Sequence, residues 1–128
     1  MSGMIPDMST FRQKLAHVRP SWRAVVMLWH EELSFRVQII CGVSVLLVSW
    51  ILRISELEFL VVVLTVGAVL ATEALNTAVE ELCDHVTPDE HPRIGKVKDL
   101  GSGASLLIGL TALVIGCIIF VPKILQLL

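Results

Sequence analysis

Polar side chains form a stripe along one face of a predicted helix in the middle of the chain. Asn76, Thr77, Glu80 and Asp84 fall within about 60° of Glu73 when successive residues are placed 100° apart around a helix. Alanine, leucine and valine occupy the remaining arc. Carboxylates in this arrangement can accept a proton or hold a hard cation such as Mg²⁺, which prefers oxygen ligands. The stripe therefore indicates chemistry on an oxygen-rich substrate such as a nucleotide.

Glu73 follows directly after an apolar run, residues 59–72. An ionised carboxylate at the centre of a membrane helix costs about 2.5–3.5 kcal/mol, so Glu73 needs a compensating partner. Ionisable residues in such positions are candidates for function. The alternative is that Glu73 is protonated, or hydrogen-bonded to a neighbouring helix, and only fixes the packing.

Glu80 lies two turns beyond Glu73, where a carboxylate can stay ionised and bind Mg²⁺ together with water and nucleotide oxygens. Glu32 precedes the first apolar run at a similar expected depth and would supply a second carboxylate from another helix. Alternatively, Glu31 and Glu32 form a solvated helix end. The two readings of Glu32 stay open at this point.

Lys98 and Asp99 immediately precede a run of small residues that includes Gly101 and Gly103. A lysine at a helix start can hold phosphate oxygens together with exposed backbone amides. Alternatively, the glycines only allow close helix packing. No GxxxxGK phosphate loop, GxGxxG turn or soluble-kinase signature is present, so the soluble nucleotide-binding folds are excluded.

The elements that must position these residues belong to a membrane protein. The 128 residues are 55% apolar and 17% charged, with a mean hydropathy of +0.79. The net charge of −2 leaves no basic stripe for a nucleic acid. The three cysteines have no metal or redox spacing, and we expect each to be a small buried apolar residue. A zinc site of Cys83, His85 and His91 is not expected.

Hydrophobic periodicity predicts an all-α integral membrane protein with a single domain, residues 1–128. The pattern over 9–31 predicts an amphipathic helix on the inner membrane surface, bent or split near Arg19 by Pro20. An ordinary core-facing helix is the alternative. Three spans follow, with one long polar connection: the predicted segments are 33–53 for the first span, 57–85 for the second span and its polar extension, 86–99 for the loop and 100–122 for the third span.

The distribution of cations predicts the orientation, because loops rich in Lys and Arg stay in the cytoplasm. Only Arg53 lies between the first two spans. We therefore expect the N-terminus and the second loop to be cytoplasmic and the C-terminus external, in a bacterial inner membrane. The cations on the cytoplasmic side are Arg12, Lys14, Arg19, Arg23 and Arg36 before the first span, and Arg93, Lys96 and Lys98 after the second.

The stripe from Glu73 to Glu80, Asp84, His91-Pro92 and the Lys98-Asp99 pair together resemble the signature of the prokaryotic diacylglycerol kinase and undecaprenol kinase family. The resemblance extends over residues 11–123. It implies a homotrimer of three-span subunits with shared active sites, in which the γ-phosphate of MgATP passes to a membrane lipid alcohol.

The resemblance also implies roles for individual residues. Glu73 is similar to the general base for the lipid hydroxyl, and Asn76 to the residue that positions the γ-phosphate. Glu32 and Glu80 match the magnesium pair. Lys98 matches the lysine on the phosphates. The remaining matches are Asp99, beside that lysine near the nucleotide, Asp89 and His91 in the loop over the adenine, and Asp84, to which no definite role is carried over.

Some positions depart from the diacylglycerol branch of the family. Gln38 stands where an acidic residue is frequent, and Arg19, Pro20 and Ala24 differ in the surface helix. The loop 86–92 and the closing residues 120–123 look more like the undecaprenol branch, which favours a polyprenol substrate over diacylglycerol. Two other functions are compatible with the stripe: a non-enzymatic membrane assembly that the stripe ties together, and an ion or proton channel component. The channel is disfavoured because one acidic stripe does not provide a relay across a bilayer.

Overall fold

The computed structural model describes residues 8–87 and 89–128, which form five α-helices. The chain divides into two compact units, Met1–Arg36 and Val37–Leu128. The helices are α1 (Met8–Ala16), α2 (Val18–Glu31), α3 (Leu33–Ile51), α4 (Glu56–Val86) and α5 (Pro92–Leu127).

The first unit contains α1 and α2, which are separated at His17. The sequence predicts one helix over 9–31 with a bend near Arg19, and the observed break lies two residues earlier. Pro20 explains the position, because its ring nitrogen has no hydrogen to donate to the carbonyl of Ala16. As the third residue of α2, Pro20 occupies the first turn, where backbone N–H groups have no partner inside the helix.

The second unit contains α4, α5 and α3 from Val37 onward. Helices α3, α4 and α5 are each long and apolar enough to cross a membrane. Helix α4 begins with a capping box: Glu58 N–H donates to Ser55 Oγ at 3.1 Å, and Ser55 N–H donates to Glu58 Oε1 at 3.3 Å. The prediction of an all-helical membrane protein with an N-terminal helical segment and three apolar helices is confirmed, and the homotrimer stays a prediction.

Helix α5 begins at Pro92, eight residues before the predicted start of the third span. His91 caps it, since its imidazole Nδ1 accepts a hydrogen bond from Arg93 N–H at 3.2 Å. Pro92 fits the first helical position because it needs no N–H there. Lys98 and Asp99, the seventh and eighth residues of α5, therefore lie about two turns into the helix rather than in a loop. Pro122 lies inside the helix, which continues to Leu127.

Cysteine burial differs from the prediction for two of the three residues. Cys83 is buried, but Cys41 and Cys117 are exposed. Both exposed cysteines lie on apolar helices that bury only a small part of their surface within the chain. The expectation that all three are buried inside the subunit is therefore wrong, although these two side chains still lie on membrane-type apolar surfaces.

Helix α3 lies against α4 at Gly42. A Cβ built at Gly42 would lie 2.8 Å from Val66 Cγ1 on α4, inside the usual contact distance. Valine is branched at Cβ and has few alternative rotamers, so it cannot easily move aside. The absence of a side chain at Gly42 thus leaves room for the Val66 side chain between the two helices.

We expect Gly42→Ala to lower the thermal unfolding midpoint in detergent, because overpacking a close contact costs about 1–3 kcal/mol. Gly109→Ala on α5 is the matched control, since a Cβ at Gly109 meets no atom within 4 Å. Alanine favours helix formation over glycine, so the control variant should be at least as stable as the wild type. Equal unfolding midpoints for the two variants would show that the Gly42 contact does not limit the packing.

Candidate active site

Glu73 on α4 is hydrogen-bonded to Gln38 on α3. Gln38 Nε2 donates to Glu73 Oε2 at 3.4 Å, and both side chains are half-buried. Gln38 Oε1 is buried without a hydrogen-bond partner among the described residues. A free buried carbonyl oxygen can accept a hydrogen bond from a ligand. The sequence marks Gln38 only as a departure from the diacylglycerol branch, and its contact with Glu73 is a structural finding.

Gln38 also lines a cavity of about 240 Å³ between α3, α4 and α5. Apart from Gln38 and Thr65, the lining residues are apolar residues, two glycines and one cysteine. Thr65 Oγ1 donates to the carbonyl of Val61 at 2.7 Å, so its hydroxyl is satisfied within α4. The cavity therefore has apolar walls and a polar group, Gln38, through which it adjoins Glu73.

Asn76 and Glu80 continue the polar stripe one and two turns beyond Glu73. Asn76 Nδ2 donates to Glu80 Oε1 at 3.4 Å. Asn76 Oδ1 is buried without a partner in the described part of the chain, and it faces Gly101 on α5. A Cβ at Gly101 would collide with this oxygen. The glycine thus allows α5 to pack on the polar stripe, as one of the two readings of the small-residue run predicts.

Lys98 on α5 forms an ion pair with Asp84 on α4. Lys98 precedes the uncharged part of α5, and its hydrogen bond to Asp84 raises the pKa of its ammonium group, with a smaller contribution from Glu80. Lys98 is therefore a cation at neutral pH. The sequence predicts exposed backbone amides beside this lysine, but the first turn of α5 lies near Pro92, more than one turn away, and its Arg93 N–H is already bonded to His91. Asp84 is the last member of the stripe, and only the structure identifies its partner.

Asp89, His91 and Lys98 line one cleft of about 500 Å³ beside the connection between α4 and α5. The cleft is also lined by Thr87, Glu90 and the first turn of α5. The loop residues predicted near the nucleotide thus lie close to the lysine predicted for its phosphates. Asp99 is exposed, and it points about 100° away from Lys98 around α5.

Glu32 lies between α2 and α3 in the first compact unit. Its N–H donates to the carbonyl of Leu28 at 2.9 Å, and its own carbonyl accepts from Arg36 N–H at 3.2 Å. Glu80 belongs to the second unit, so the magnesium pair of these two carboxylates stays a prediction. Among the described residues, no group of three or more His, Cys, Asp or Glu side chains forms a metal centre.

Comparison with known proteins identifies the family. Residues 19–120 match the prokaryotic diacylglycerol kinase family. An undecaprenol kinase from Bacillus subtilis is 30% identical over 118 residues, covering 91% of this chain and 93% of the relative. A diacylglycerol kinase from Escherichia coli K12 is 31% identical over 102 residues, covering 77% of this chain and 81% of the relative.

The family match covers most of the chain, including all of the polar stripe and the Lys98-Asp99 pair. The prediction of a lipid kinase is confirmed, and the non-enzymatic assembly is not needed to explain the stripe. ATP and a lipid are the substrates that a lipid kinase requires. The chain belongs to the prokaryotic diacylglycerol kinase family and is a membrane lipid kinase.

Proposed function

We propose that this kinase transfers the γ-phosphate of ATP, with Mg²⁺, to the hydroxyl group of undecaprenol in preference to diacylglycerol. The observation that carries the proposal is the course of the polar stripe on α4. Its Glu73 end adjoins the apolar cavity through Gln38, and its Asp84 end is paired with Lys98 of the cleft. One helix thus connects a place for a lipid with a place for a nucleotide.

At the lipid end, the apolar cavity holds a section of the lipid chain, and the hydroxyl group lies beside Glu73. Gln38 Oε1, which has no partner among the described residues, is available to orient that hydroxyl. Glu73 removes the hydroxyl proton while the alcohol oxygen bonds to the γ-phosphorus. The bond from the γ-phosphorus to the β–γ bridging oxygen breaks, and ADP leaves with its electron pair.

At the nucleotide end, catalysis requires alignment and charge neutralisation more than covalent chemistry. Lys98 binds phosphate oxygens, and Asn76 orients the γ-phosphate between Glu73 and Glu80. Asp89 and His91 lie over the adenine in the cleft, and Asp99 supports the nucleotide beside Lys98. These roles follow the family resemblance. The shared cleft of Asp89, His91 and Lys98 supports the roles of these three residues, whereas Asn76 and Asp99 are not among its lining residues.

Glu80 and Glu32 are the proposed magnesium ligands. The exposed Glu80 carboxylate fits this role, because Mg²⁺ typically takes one or two protein carboxylates and completes its shell with water and phosphate oxygens. A set of three protein ligands is therefore not required. When bound, the ion neutralises charge on the β- and γ-phosphates.

The membrane arrangement is also a proposal. We infer a homotrimer with shared active sites in the bacterial inner membrane, with the N-terminus and the α4–α5 connection cytoplasmic and the C-terminus external. The cations flanking the spans support this orientation. It places the cleft of Asp89 and Lys98 on the side where ATP is available.

Undecaprenol is favoured as the acceptor for two reasons. The Bacillus subtilis undecaprenol kinase aligns with nearly the full length of this chain. A polyprenol also carries one hydroxyl group and no ester, so it needs few polar contacts. The cavity fits this chemistry, because its two polar lining residues are Gln38 and Thr65, and the Thr65 hydroxyl is already bonded within α4. Gln38 is then the polar group that remains for a ligand.

We expect undecaprenol to be phosphorylated with a higher kcat/KM than diacylglycerol or ceramide when each is offered in mixed micelles with labelled ATP. Apart from Gln38 and the internally bonded Thr65 hydroxyl, the cavity lining offers the esters of diacylglycerol no polar partner. A higher kcat/KM for diacylglycerol would overturn the substrate assignment and leave the kinase assignment intact.

Glu73→Gln should reduce kcat by about 10²–10⁴-fold, which is the usual contribution of a general base. The amide oxygen of glutamine can still accept the hydrogen bond from Gln38, so the fold should be retained. Protection of the variant by ATP in thermal unfolding should match that of the wild type. A fully active variant would show that Glu73 serves packing rather than proton transfer.

Glu80→Gln should reduce kcat/KM by about 100-fold, equivalent to about 2.7 kcal/mol of transition-state stabilisation. The loss should be partly recovered at high Mg²⁺ concentration. Glu81→Gln is the matched control, because Glu81 is exposed and lies about 100° away from Glu80 around α4. Unchanged magnesium dependence in the Glu80 variant would argue against its role as a metal ligand.

A further inference from the structure

Asp84 has no role in the transfer reaction proposed above, but it forms an ion pair with Lys98, which is proposed to bind the phosphates. Its carboxylate pairs with the ammonium group of Lys98 and links α4 to α5. Lys98 in turn lines the cleft beside Asp89 and His91. The position of the Lys98 charge in the cleft therefore depends on a residue outside the cleft lining.

We propose that Asp84 is a positioning residue, which fixes Lys98 Nζ so that its remaining hydrogens point toward the phosphates of ATP. The inference rests on the proposed role of Lys98 at those phosphates. An ammonium group has three donors, so one hydrogen bond to Asp84 leaves two for phosphate oxygens. The pairing therefore orients Lys98 without using up its binding capacity.

Stability alone does not account for the ion pair. The Lys98 and Asp84 side chains are 40% and 63% exposed, and ion pairs with this exposure contribute little to folding. Lysine carries its charge on a flexible four-carbon chain with many rotamers. A carboxylate at a fixed place on α4 removes much of that freedom before the nucleotide arrives, and pre-organisation of this kind lowers the cost of binding.

The surrounding charges make the direction of Lys98 important. Among the cleft-lining residues that the structure describes, Lys98 carries the one full positive charge, while Asp89 and Glu90 are acidic. Glu80 lies one turn from Asp84 on α4. A triphosphate entering this region meets repulsion from several carboxylates, so a displaced Lys98 would leave that repulsion unbalanced.

The two possible effects of Asp84 on ATP have opposite signs, which makes the proposal testable. If Asp84 only cancels the charge of Lys98, removing its charge strengthens ATP binding. If Asp84 positions Lys98, removing its charge weakens binding and slows transfer. The kinetics of Asp84→Asn in the full-length protein therefore distinguish the two.

We expect Asp84→Asn to raise KM for ATP and to reduce kcat/KM for ATP about tenfold, with KM for the lipid unchanged. Asp84→Glu, which keeps the carboxylate, should recover most of the loss. Glu81→Gln is the matched control, since it removes one negative charge from the same turn of α4 at an exposed site, and its kinetics should match the wild type. A KM for ATP at or below the wild-type value in Asp84→Asn would overturn the proposal.

A double-mutant cycle tests whether Asp84 acts through Lys98. Lys98→Met should lose activity, and adding Asp84→Asn to it should cause no further loss. Independent, multiplicative losses would contradict the inference even if each single variant is impaired. Full activity of Lys98→Met would refute the role of Lys98 itself, and with it this inference. Low activity of Lys98→Met combined with wild-type ATP kinetics of Asp84→Asn would refute the positioning role of Asp84 and leave the role of Lys98 intact.

Discussion

An ionisable side chain on an apolar helix needs a polar partner, and this constraint shapes the site around Glu73. Gln38 on α3 is such a partner, since its Nε2 donates a hydrogen bond of 3.4 Å to the Glu73 carboxylate. The same amide borders the apolar cavity, so satisfying the carboxylate also places it beside a volume suited to a lipid chain. A contact between two helices and a candidate reaction centre thus arise from one pair of side chains.

The packing of α5 on α4 extends the candidate site from the apolar cavity toward the cleft of Asp89 and Lys98. Lys98 and Gly101 are three residues apart and share a face of α5, while Asn76 and Asp84 lie on one face of α4. Gly101 lies against Asn76, and Lys98 pairs with Asp84. The missing side chain at Gly101 brings the helices close enough for the ion pair to form beyond it. The register of the two helices therefore determines where the cation lies.

Much of the fold could be predicted because its signals are local. Apolar runs indicate the three long helices, and a spacing of three and four residues indicates the stripe on α4. The sequence pattern does not predict the start of α5 at Pro92, since a proline can either end a polar loop or open a helix, and the cap by His91 decides between them. The break at His17 lies before Pro20 because the missing donor affects the preceding turn.

The partners within the site were harder to predict than its members. The stripe identifies Glu73, Asn76 and Glu80 from α4 alone, but the residues opposite them depend on the register of α3 and α5. No local pattern shows that Gln38 lies against Glu73, or that Asp84 pairs with Lys98 rather than with another cation in the connection. Family resemblance carries residue roles from position to position, but it does not carry these contacts.

The chain buries few apolar side chains, which gives unusual weight to its close contacts. In the second unit, the buried apolar residues among those described are Val62, Cys83 and Ile119. Burial of apolar surface between the spans therefore contributes little, since lipid tails solvate exposed leucine and valine as well as a neighbouring helix does. The helices are held instead by short-range packing and polar pairs, such as Gly42 against Val66 and Gln38 with Glu73. Gly42, Val66 and Gln38 also line the cavity, so the side chains that hold α3 on α4 are at the same time its walls. Under the proposed function, a lipid chain in this cavity would press on the same contacts that align Glu73.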